Sequence, residues 1–222
     1  MKNGDEMRIA IVSDTHGDLT FQQFVKDIDA DFVLHCGDLS LYSEFDKSVY
    51  FIRGNHEDWD VLEAMKNGIV EFKNLRYIKN GEICALKKDD EIVRILGFGG
   101  NYSPKYYGAG KLEGDRRRHF TDKEFNEACI HKKIDILLTH EAPLGLVMNK
   151  GGNDYGQPLI TELVEKTRPR YAFSGHHHIF NEKKINSTRC VAVPKFRDGI
   201  VLLDTKNWQI TASFGKIKNE RI

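Results

Sequence analysis

The apolar residues of this chain fall into short runs that alternate with segments of helical spacing. Runs rich in β-branched and aromatic side chains, typical of buried strands, cover residues 8–13, 32–36, 50–53, 83–86, 93–97, 134–139 and 171–174. Apolar residues three or four positions apart predict helices over residues 21–28, 59–65, 121–130 and 158–167. Thr121 with Glu124 forms a capping box and Pro158 stands at a first helical position, so two of these helices have a defined start.

Strands that alternate with helices predict an α/β architecture in which helices cover the sheets. The segment 179–213 instead alternates like a β-meander, with strands near 189–193, 200–204 and 209–212. This strand-rich end predicts a second sheet, and hence a two-sheet β-sandwich flanked by helices. Because the sequence has no internal repeat and no linker, we expect residues 1–222 to form a single domain.

Polar side chains that can bind metal ions follow five of the predicted strands. They are Asp14, His16, Asp38, Asn55, His56, His140, His176 and His178. Ligands of α/β proteins gather beyond the carboxyl ends of strands, so we expect these side chains to converge there in space. Imidazole, carboxylate and amide groups without a thiolate favour Mn, Fe, Co, Ni or Zn over Cu(I) or an iron–sulfur cluster.

The spacing of these residues bears on how many ions they can hold. Asp14 and His16 are two positions apart at a strand end, as are His176 and His178, and alternation along a strand predicts that such a pair can reach one ion. The whole set of donors exceeds what one tetrahedral ion needs and fits two ions about 3.5–4 Å apart that share one carboxylate. We expect Asp38, which lies next to a glycine on a tight turn, to be that bridge.

Each of these short motifs also has an ordinary structural interpretation. A single histidine at a strand end is more often a hydrogen-bonded core residue, a Gly-Asp pair is usually a turn, and a histidine triplet usually indicates a solvated loop. If all of these interpretations were correct, several unrelated motifs would have to occur by chance in this order, each at the end of a predicted strand. The metal-site interpretation is therefore the stronger one.

The order of the motifs resembles that of the calcineurin-like metallophosphoesterase superfamily, and in particular its small prokaryotic members. The superfamily pattern D-x-H, GD, GNH[DE], H and GH-x-H is present as Asp14-Thr15-His16, Gly37-Asp38, Gly54-Asn55-His56-Glu57, His140 and Gly175-His176-His177-His178. The resemblance implies that one ion is held by Asp14, His16, Asp38 and His178, and the other by Asp38, Asn55, His140 and His176. It also implies that His56 faces the phosphate without binding metal, and it gives His177 no role.

The activity that the resemblance implies is hydrolysis of phosphomonoesters or phosphodiesters by a hydroxide held between two divalent ions. Mn is the first expectation for the metal, and Fe, Ni, Co and Zn are the alternatives. The ions lower the pKa of bound water and neutralise the phosphate oxygens, and Asp38 holds both. Asn55 can ligate through its amide oxygen while its NH2 group donates to the phosphate, and His56 can protonate the leaving oxygen.

Two branches of the superfamily differ from this chain in their motifs. The phosphoprotein-phosphatase branch has GDxVDRG around the bridging Asp, whereas positions 37–43 read GDLSLYS and lack the second Asp and the Arg. This difference disfavours a dedicated Ser/Thr phosphatase. Lariat debranching enzymes have Cys at the first position of D-x-H, where this chain has Asp14, so that resemblance is partial.

The segment 97–120 is long for a connection between a strand and a helix, which makes it a candidate substrate loop. It contains Tyr102, Tyr106, Tyr107, Lys105, Lys111, Arg116, Arg117 and Arg118. Aromatic and basic residues together suit a nucleotide or nucleic-acid leaving group, while the plainer alternative is a glycine-rich surface loop with a solvated Arg run. The segment 141–157 forms part of the site rim or is an ordinary helix-entry loop.

Composition bears on the partners and the cellular compartment of the protein. Lys+Arg and Asp+Glu both number 33, so the formal net charge is zero, which argues against a chain that mainly coats nucleic acid or an anionic membrane. No run of about 18 apolar residues is present, the first apolar run predicts a strand rather than a signal peptide, and the four cysteines form no CxxC pair. We therefore expect a cytoplasmic protein with no membrane partner, and leave its oligomeric state open.

Three functions remain open. The first is metal-dependent hydrolysis of a phosphomonoester or phosphodiester. The second, within the same chemistry, is a nuclease or nucleotide phosphodiesterase, which is favoured if segment 97–120 faces the metal ions. The third is a non-catalytic metal-binding scaffold of the same fold, and the retained ligand set and His56 count against it.

Overall fold

A computed structural model describes residues 6–148 and 151–215. The strands are β1 (Arg8–Val12), β2 (Phe32–His35), β3 (Ser48–Phe51), β4 (Leu75–Tyr77), β5 (Ile83–Lys88), β6 (Glu91–Phe98), β7 (Ile136–Thr139), β8 (Tyr171–Ser174), β9 (Asn181–Ile185), β10 (Thr188–Ala192), β11 (Gly199–Asp204) and β12 (Gln209–Phe214). The α-helices are α1 (Thr20–Asp27), α2 (Trp59–Lys66), α3 (Asp122–Cys129) and α4 (Pro158–Thr167), and a 3₁₀ helix spans Gly114–Arg118.

The strands form two six-stranded sheets, in the orders β12-β11-β1-β2-β3-β4 and β5-β6-β7-β8-β10-β9. Strands β1 to β4 run parallel in the first sheet, and β6, β7, β8 and β10 run parallel in the second. Parallel neighbours require a crossover, which helices such as α1, between β1 and β2, supply. The predicted two-sheet sandwich flanked by helices is confirmed.

Three apolar clusters hold the layers together. The faces that the two sheets turn toward each other meet in a core that includes Ile11 and Phe173. Helices α1 and α2 cover the outer face of the first sheet, with Phe21 fully buried there. Helices α3 and α4 cover the second sheet, with Phe125 buried against it. The parallel strands are therefore covered on both faces, as their continuous apolar runs predict.

The predicted helix starts at Thr121 and Pro158 are also present. The Glu124 N–H donates to the Thr121 hydroxyl at 3.3 Å, and the Thr121 N–H donates to the Glu124 carboxylate at 2.9 Å. This reciprocal pair is the predicted capping box and supplies acceptors for the start of α3. Pro158 occupies the first turn of α4, where its missing N–H costs no hydrogen bond.

The prediction of a β-meander at the end of the chain is wrong. Strands β9 and β10 pair with each other in the second sheet, whereas β11 and β12 belong to the first sheet through antiparallel pairing of β11 with β1. Alternating polarity indicates a strand but does not identify its partner. The partner follows from the core that its buried face joins, and Val201 and Leu203 of β11 join the core between the sheets.

Smaller differences concern strands with weak apolar signals. The strand predicted at 50–53 lies at Ser48–Phe51, and neither β4 nor β9 was predicted as a separate strand. Strand β4 is only three residues long, and four of the five residues of β9 are exposed, so neither contains an apolar run. The predicted loop 97–120 contains the 3₁₀ helix.

No α-helix of the described residues combines the length and the apolar character needed to span a bilayer.

Candidate metal centre

The loops that follow the parallel strands of both sheets meet at one edge of the sandwich. The residues they bring there are Asp14 and His16 after β1, Asp38 after β2, Asn55 and His56 after β3, His140 after β7, and His176 and His178 after β8. Backbone hydrogen bonds fix the first two loops against each other, because the Asp14 N–H donates to the Gly37 carbonyl at 3.1 Å and the His16 N–H to the Asp38 carbonyl at 2.9 Å. The convergence expected from the strand ends is present.

Five of these residues have backbone conformations that L-amino acids rarely adopt. The angle φ is +55° at Asp14, +48° at His16, +58° at Asp38, +69° at His176 and +57° at His178. Left-handed conformations at residues other than glycine are unfavourable, persist only where the surrounding structure fixes them, and cluster at functional sites. Here they occur immediately beyond the strand ends, at the positions of the candidate ligands.

Asp14, His16 and His178 form a first group of candidate ligands. The Oδ1 atom of Asp14 lies 3.2 Å from His178 Nε2 and 3.9 Å from His16 Nε2. This oxygen is buried and accepts no hydrogen bond from the described residues, whereas Oδ2 accepts the Ser13 hydroxyl at 2.5 Å and the His176 N–H at 3.0 Å. A buried carboxylate oxygen that faces imidazole nitrogens without a hydrogen bond fits a cation.

A second group of candidate ligands combines His140 with Asp38 and Asp14, so Asp14 belongs to both groups. The His140 Nδ1 atom lies 2.8 Å from the Cys36 carbonyl oxygen, which can only accept, so Nδ1 carries the proton of the neutral ring. Nε2 then presents a lone pair, yet it lies 2.9 Å from Asn55 Oδ1 and 3.6 Å from Asp38 Oδ1. With the ring neutral, these are three acceptors close together, an arrangement that a cation bound among them would stabilise. Donation of the second ring nitrogen to a carbonyl is also the usual arrangement of metal-binding histidines.

Asp38 lies between the two groups. Its Oδ2 atom is 3.8 Å from His16 Nδ1, and its Oδ1 atom is 3.6 Å from His140 Nε2. Oδ1 also accepts the N–H groups of Asn55 and His56, each at 2.7 Å. One buried carboxylate thus presents an oxygen to each group, as a ligand shared by two ions must.

The two-residue spacing does not bring His176 and His178 together. His178 belongs to the group of Asp14 and His16, whereas the His176 ring lies against His140 with 4.9 Å between ring centroids. The strand-alternation argument does not apply, because these residues follow the strand and their left-handed backbone turns successive side chains in different directions.

Burial and neighbouring charges shift the pKa values of several groups in the centre, and not all in the same direction. Burial lowers the pKa of His16, and it lowers the pKa of His176 to about 4, so both imidazoles are neutral at pH 7. Burial alone would raise the pKa of the Asp14 carboxyl, but the neighbouring His178 imidazole holds it well below its usual range. Contact with Asp14 in turn raises the pKa of His178, which favours the protonated ring over the neutral form that binds a metal ion.

Two glycines permit the close approach of the loops. A Cβ atom at Gly54 would lie 2.0 Å from Asp38 Oδ1, and one at Gly175 would lie 2.0 Å from the Ser13 hydroxyl and 3.0 Å from Asp14 Oδ2. Any side chain at either position would displace a carboxylate of the centre. The lack of space for a side chain therefore explains why glycine precedes Asn55 and His176 in the sequence motifs.

His56 and His177 lie at the centre but belong to neither group. His56 is exposed, and its ring centroid is 5.7 Å from that of His16, where it can face a bound substrate. The His177 ring stacks on Tyr155, with 6.0 Å between centroids. Tyr155 belongs to segment 141–157, of which residues 149–150 lie outside the described residues, so this segment contributes to the rim of the site.

Sequence reasoning missed two carboxylates beside the ligands. Glu57 accepts the Leu39 N–H at 3.2 Å and the Gly54 N–H at 3.0 Å, and so ties together the loops after β2 and β3. In the sequence, only its place in the GNHE motif indicated that Glu57 lies near the ligands. Glu141, next in sequence to His140, is buried, which raises its pKa to about 7, and it accepts the Tyr102 N–H at 2.8 Å. No sequence feature identified that contact.

A cation near the first group was missed as well. Lys195 follows β10, and the N–H of its neighbour Phe196 donates to the Ser13 carbonyl at 2.9 Å, next to Asp14. The half-buried ammonium opposes protonation of both His16 and His178, although contact with Asp14 still raises the pKa of His178. Its position depends on contacts between segments far apart in sequence.

The 3₁₀ helix of segment 97–120 faces the centre. An open cavity of about 730 Å³ is lined by Asn55 and His56 on one side and by Arg117 and Arg118 on the other. The tyrosines of the segment are absent from this lining. Tyr102 and Tyr107 pack against the cluster outside the second sheet, and Tyr106 stacks on His119. Two of the five basic residues of the predicted substrate loop are therefore at the site, and its tyrosines are not.

A two-sheet sandwich with these ligand groups at the ends of its parallel strands is the architecture of the metallophosphoesterases. The chain belongs to the calcineurin-like phosphoesterase family, whose profile matches residues 7–180.

Individual relatives agree with this assignment. The chain is 27% identical over 197 residues to the lariat debranching enzyme of Entamoeba histolytica, a match that covers 76% of this chain and 54% of that protein. It thus spans about half the length of this curated relative. Among solved structures, TT1561 of Thermus thermophilus has a TM-score of 0.69 at 15% identity, with 95% of this chain and 99% of that chain covered. A novel archaeal phosphodiesterase has a TM-score of 0.53 at 14% identity, with 94% and 100% covered. Both structures share the fold.

Proposed function

We propose that this protein hydrolyses phosphoester bonds with two divalent metal ions, with Mn as the first candidate and Fe, Ni, Co or Zn as the others. The position of Asp38 carries the proposal, because its two oxygens face His16 in one ligand group and His140 in the other. The first ion would be held by Asp14, His16, Asp38 and His178, and the second by Asp38, Asn55, His140 and His176.

When bound, the two ions neutralise the phosphate oxygens and supply a hydroxide nucleophile near neutral pH. The protein's own residues orient the ester and move one proton. With its Oδ1 atom directed at the His140 side of the centre, Asn55 keeps its NH2 group for a hydrogen bond to the phosphate. As the bond between phosphorus and the leaving oxygen breaks, a proton on the exposed His56 ring passes to that oxygen, which departs as an alcohol.

A diester with a nucleotide or nucleic-acid component is the substrate we favour. The support is the cavity beside His56, because its far wall presents Arg117 and Arg118 to anything that extends from the metal centre. Both guanidinium groups also have acidic neighbours: Arg117 lies 2.8 Å from Asp60 and Arg118 lies 3.6 Å from Asp115. They would therefore guide a phosphate backbone more than they would bind one phosphate tightly. The similarity to a lariat debranching enzyme agrees with this substrate class.

Turnover of bis-p-nitrophenyl phosphate and of p-nitrophenyl phosphate, on metal-stripped protein with and without Mn²⁺, tests the proposal. We expect Mn²⁺-dependent cleavage of the diester, faster than that of the monoester. Cleavage of the monoester alone would indicate a phosphatase. Cleavage of neither ester with Mn, Fe, Co, Ni or Zn would contradict catalysis and favour the non-catalytic metal-binding scaffold.

We also propose that residues 1–222 act as one domain in the cytoplasm. The four cysteines, Cys36, Cys84, Cys129 and Cys190, are buried and unpaired. Unpaired, buried thiols fit a reducing compartment.

A further inference from the structure

A groove beside the metal centre has no part in the reaction described so far. It has a volume of about 690 Å³, which is within the range of small-molecule sites, and its lining includes Trp59, Leu62 and Tyr77. Trp59 and Arg117 line both this groove and the open cavity at His56. The two spaces therefore adjoin, and a ligand that begins at the metal centre can continue into the groove.

Trp59 stands where the two spaces meet. It is the first residue of α2, three positions after His56, and it is half-buried against the cluster outside the first sheet. Arg117 donates to the Trp59 carbonyl at 2.9 Å and to the Asp60 carboxylate at 2.8 Å. These bonds tie the 3₁₀ helix to the start of α2. The Trp59 indole and the 3₁₀ helix are therefore held at a fixed separation before any ligand binds.

Charged side chains surround this aromatic wall. The same groove is lined by Glu63, Lys66, Lys79 and Lys111. Of these, Lys66 pairs with Glu63 at 3.7 Å. An aromatic face surrounded by hydrogen-bond donors and acceptors suits a flat ring with polar edges better than it suits an aliphatic chain. Nucleobases have this character, and stacking on an aromatic side chain tolerates all of them.

We propose that the groove binds the nucleoside of the leaving group, with its base stacked on Trp59. The proposal rests on the function given above, in which His56 protonates the leaving oxygen, so the leaving group must extend past His56. Bound metal ions would interact with the phosphate, which all candidate esters share. The groove therefore supplies the preference for nucleotide esters over small alkyl or aryl esters.

Fluorescence can test this binding without any turnover. The sequence contains two tryptophans, Trp59 and Trp208, and Trp208 packs against the core between the sheets beneath the Arg170 guanidinium. The Trp208→Phe variant, loaded with Mn²⁺, therefore reports on Trp59 alone. Adenosine 5′-monophosphate and ribose 5-phosphate are the matched probes, since they share the phosphate and the sugar and differ only in the base. Titration in the cold, with phosphate release monitored, separates binding from cleavage.

We expect adenosine 5′-monophosphate to quench Trp59 saturably and ribose 5-phosphate to leave its emission unchanged. As competitors of bis-p-nitrophenyl phosphate, the nucleotide should bind roughly tenfold more tightly than the sugar phosphate, as base stacking predicts. Trp59→Leu should bring the two affinities within about twofold, while Trp59→Phe, which keeps an aromatic face, should retain part of the preference.

Equal quenching by both probes, or a preference for the nucleotide that survives Trp59→Leu, would overturn the assignment of the groove. The outcome also separates this proposal from the hydrolase proposal. Quenching by the nucleotide without turnover of any ester would support the groove and contradict the hydrolase. Turnover of esters without a preference for the base would do the reverse.

Discussion

Substitution of Glu57 by alanine should destabilise the fold at the point where two ligand loops meet. The Glu57 carboxylate accepts the backbone N–H groups of Leu39 at 3.2 Å, Ser40 at 3.2 Å and Gly54 at 3.0 Å. It also accepts the Tyr42 hydroxyl. Leu39 follows Asp38 in sequence, and Gly54 precedes Asn55, so one side chain holds both loops in register.

The size of the effect follows from these four hydrogen bonds. Because burial raises the pKa of Glu57, we count each bond at about 1 kcal/mol rather than at the larger value for bonds to a well-solvated charge. The four bonds together amount to about 4 kcal/mol. Truncation leaves three backbone N–H groups without their acceptor, but Glu57 is only half-buried and water can reach some of them, so the expected loss is about 3–5 kcal/mol. For a domain of this length, 1 kcal/mol corresponds to about 2–4 °C in Tm, so Tm should fall by roughly 6–20 °C.

Thermal unfolding of the metal-free protein is the assay, with Glu57→Gln as the matched control. Glutamine keeps one carbonyl oxygen for the Leu39 and Gly54 N–H groups, so its loss of Tm should be about half that of alanine. The alanine variant should also bind Mn²⁺ more weakly, because the loop that carries Asp38 is no longer held. A Tm within about 2 °C of the wild-type value for Glu57→Ala would refute the reasoning.

Three further substitutions separate the roles within the centre. His56→Ala should keep about two ions per chain by elemental analysis, but it should slow cleavage of an ester with a ribose leaving group by about 100-fold or more. The loss should be smaller for an ester that releases p-nitrophenolate, because this leaving group needs no proton. Loss of metal from the variant would show that His56 is a ligand. Asp38→Ala should empty both sites in the same analysis, and retention of either ion would show that this carboxylate is not shared. Gly54→Ala places a Cβ atom 2.0 Å from Asp38 Oδ1, so Mn²⁺ affinity measured by calorimetry should fall by at least about tenfold; unchanged affinity would show that Asp38 can move without consequence.

The strand ends and the residue types of the centre could be predicted from local sequence. Asp38 and His140 each follow a short apolar run whose length and β-branched or aromatic content indicate a buried strand, and ligands gather at the carboxyl ends of parallel strands. The start of α4 at Pro158 was equally local, because proline fits the first turn of a helix and no later one. These predictions needed no knowledge of which strands are neighbours.

Local sequence could not predict which candidate ligands lie together. His178 joins the group of Asp14 and His16 whereas the His176 ring lies against His140, because both residues have left-handed backbone conformations, which have no sequence signal apart from a mild preference for Asn, Asp and His. Lys195 reaches the centre through a bond between Phe196 and Ser13, which lie far apart in sequence. Such contacts follow from the pairing of whole strands, and the local pattern left that pairing undetermined.

Titration of the metal-stripped protein with Mn²⁺, while hydrolysis of bis-p-nitrophenyl phosphate is followed, tests the central claim most directly. If two ligand groups share Asp38, the activity should rise until two equivalents of metal per chain have been added and then stay constant. A break at one equivalent would contradict the two-ion centre, and no activity at any ratio would contradict the hydrolase itself.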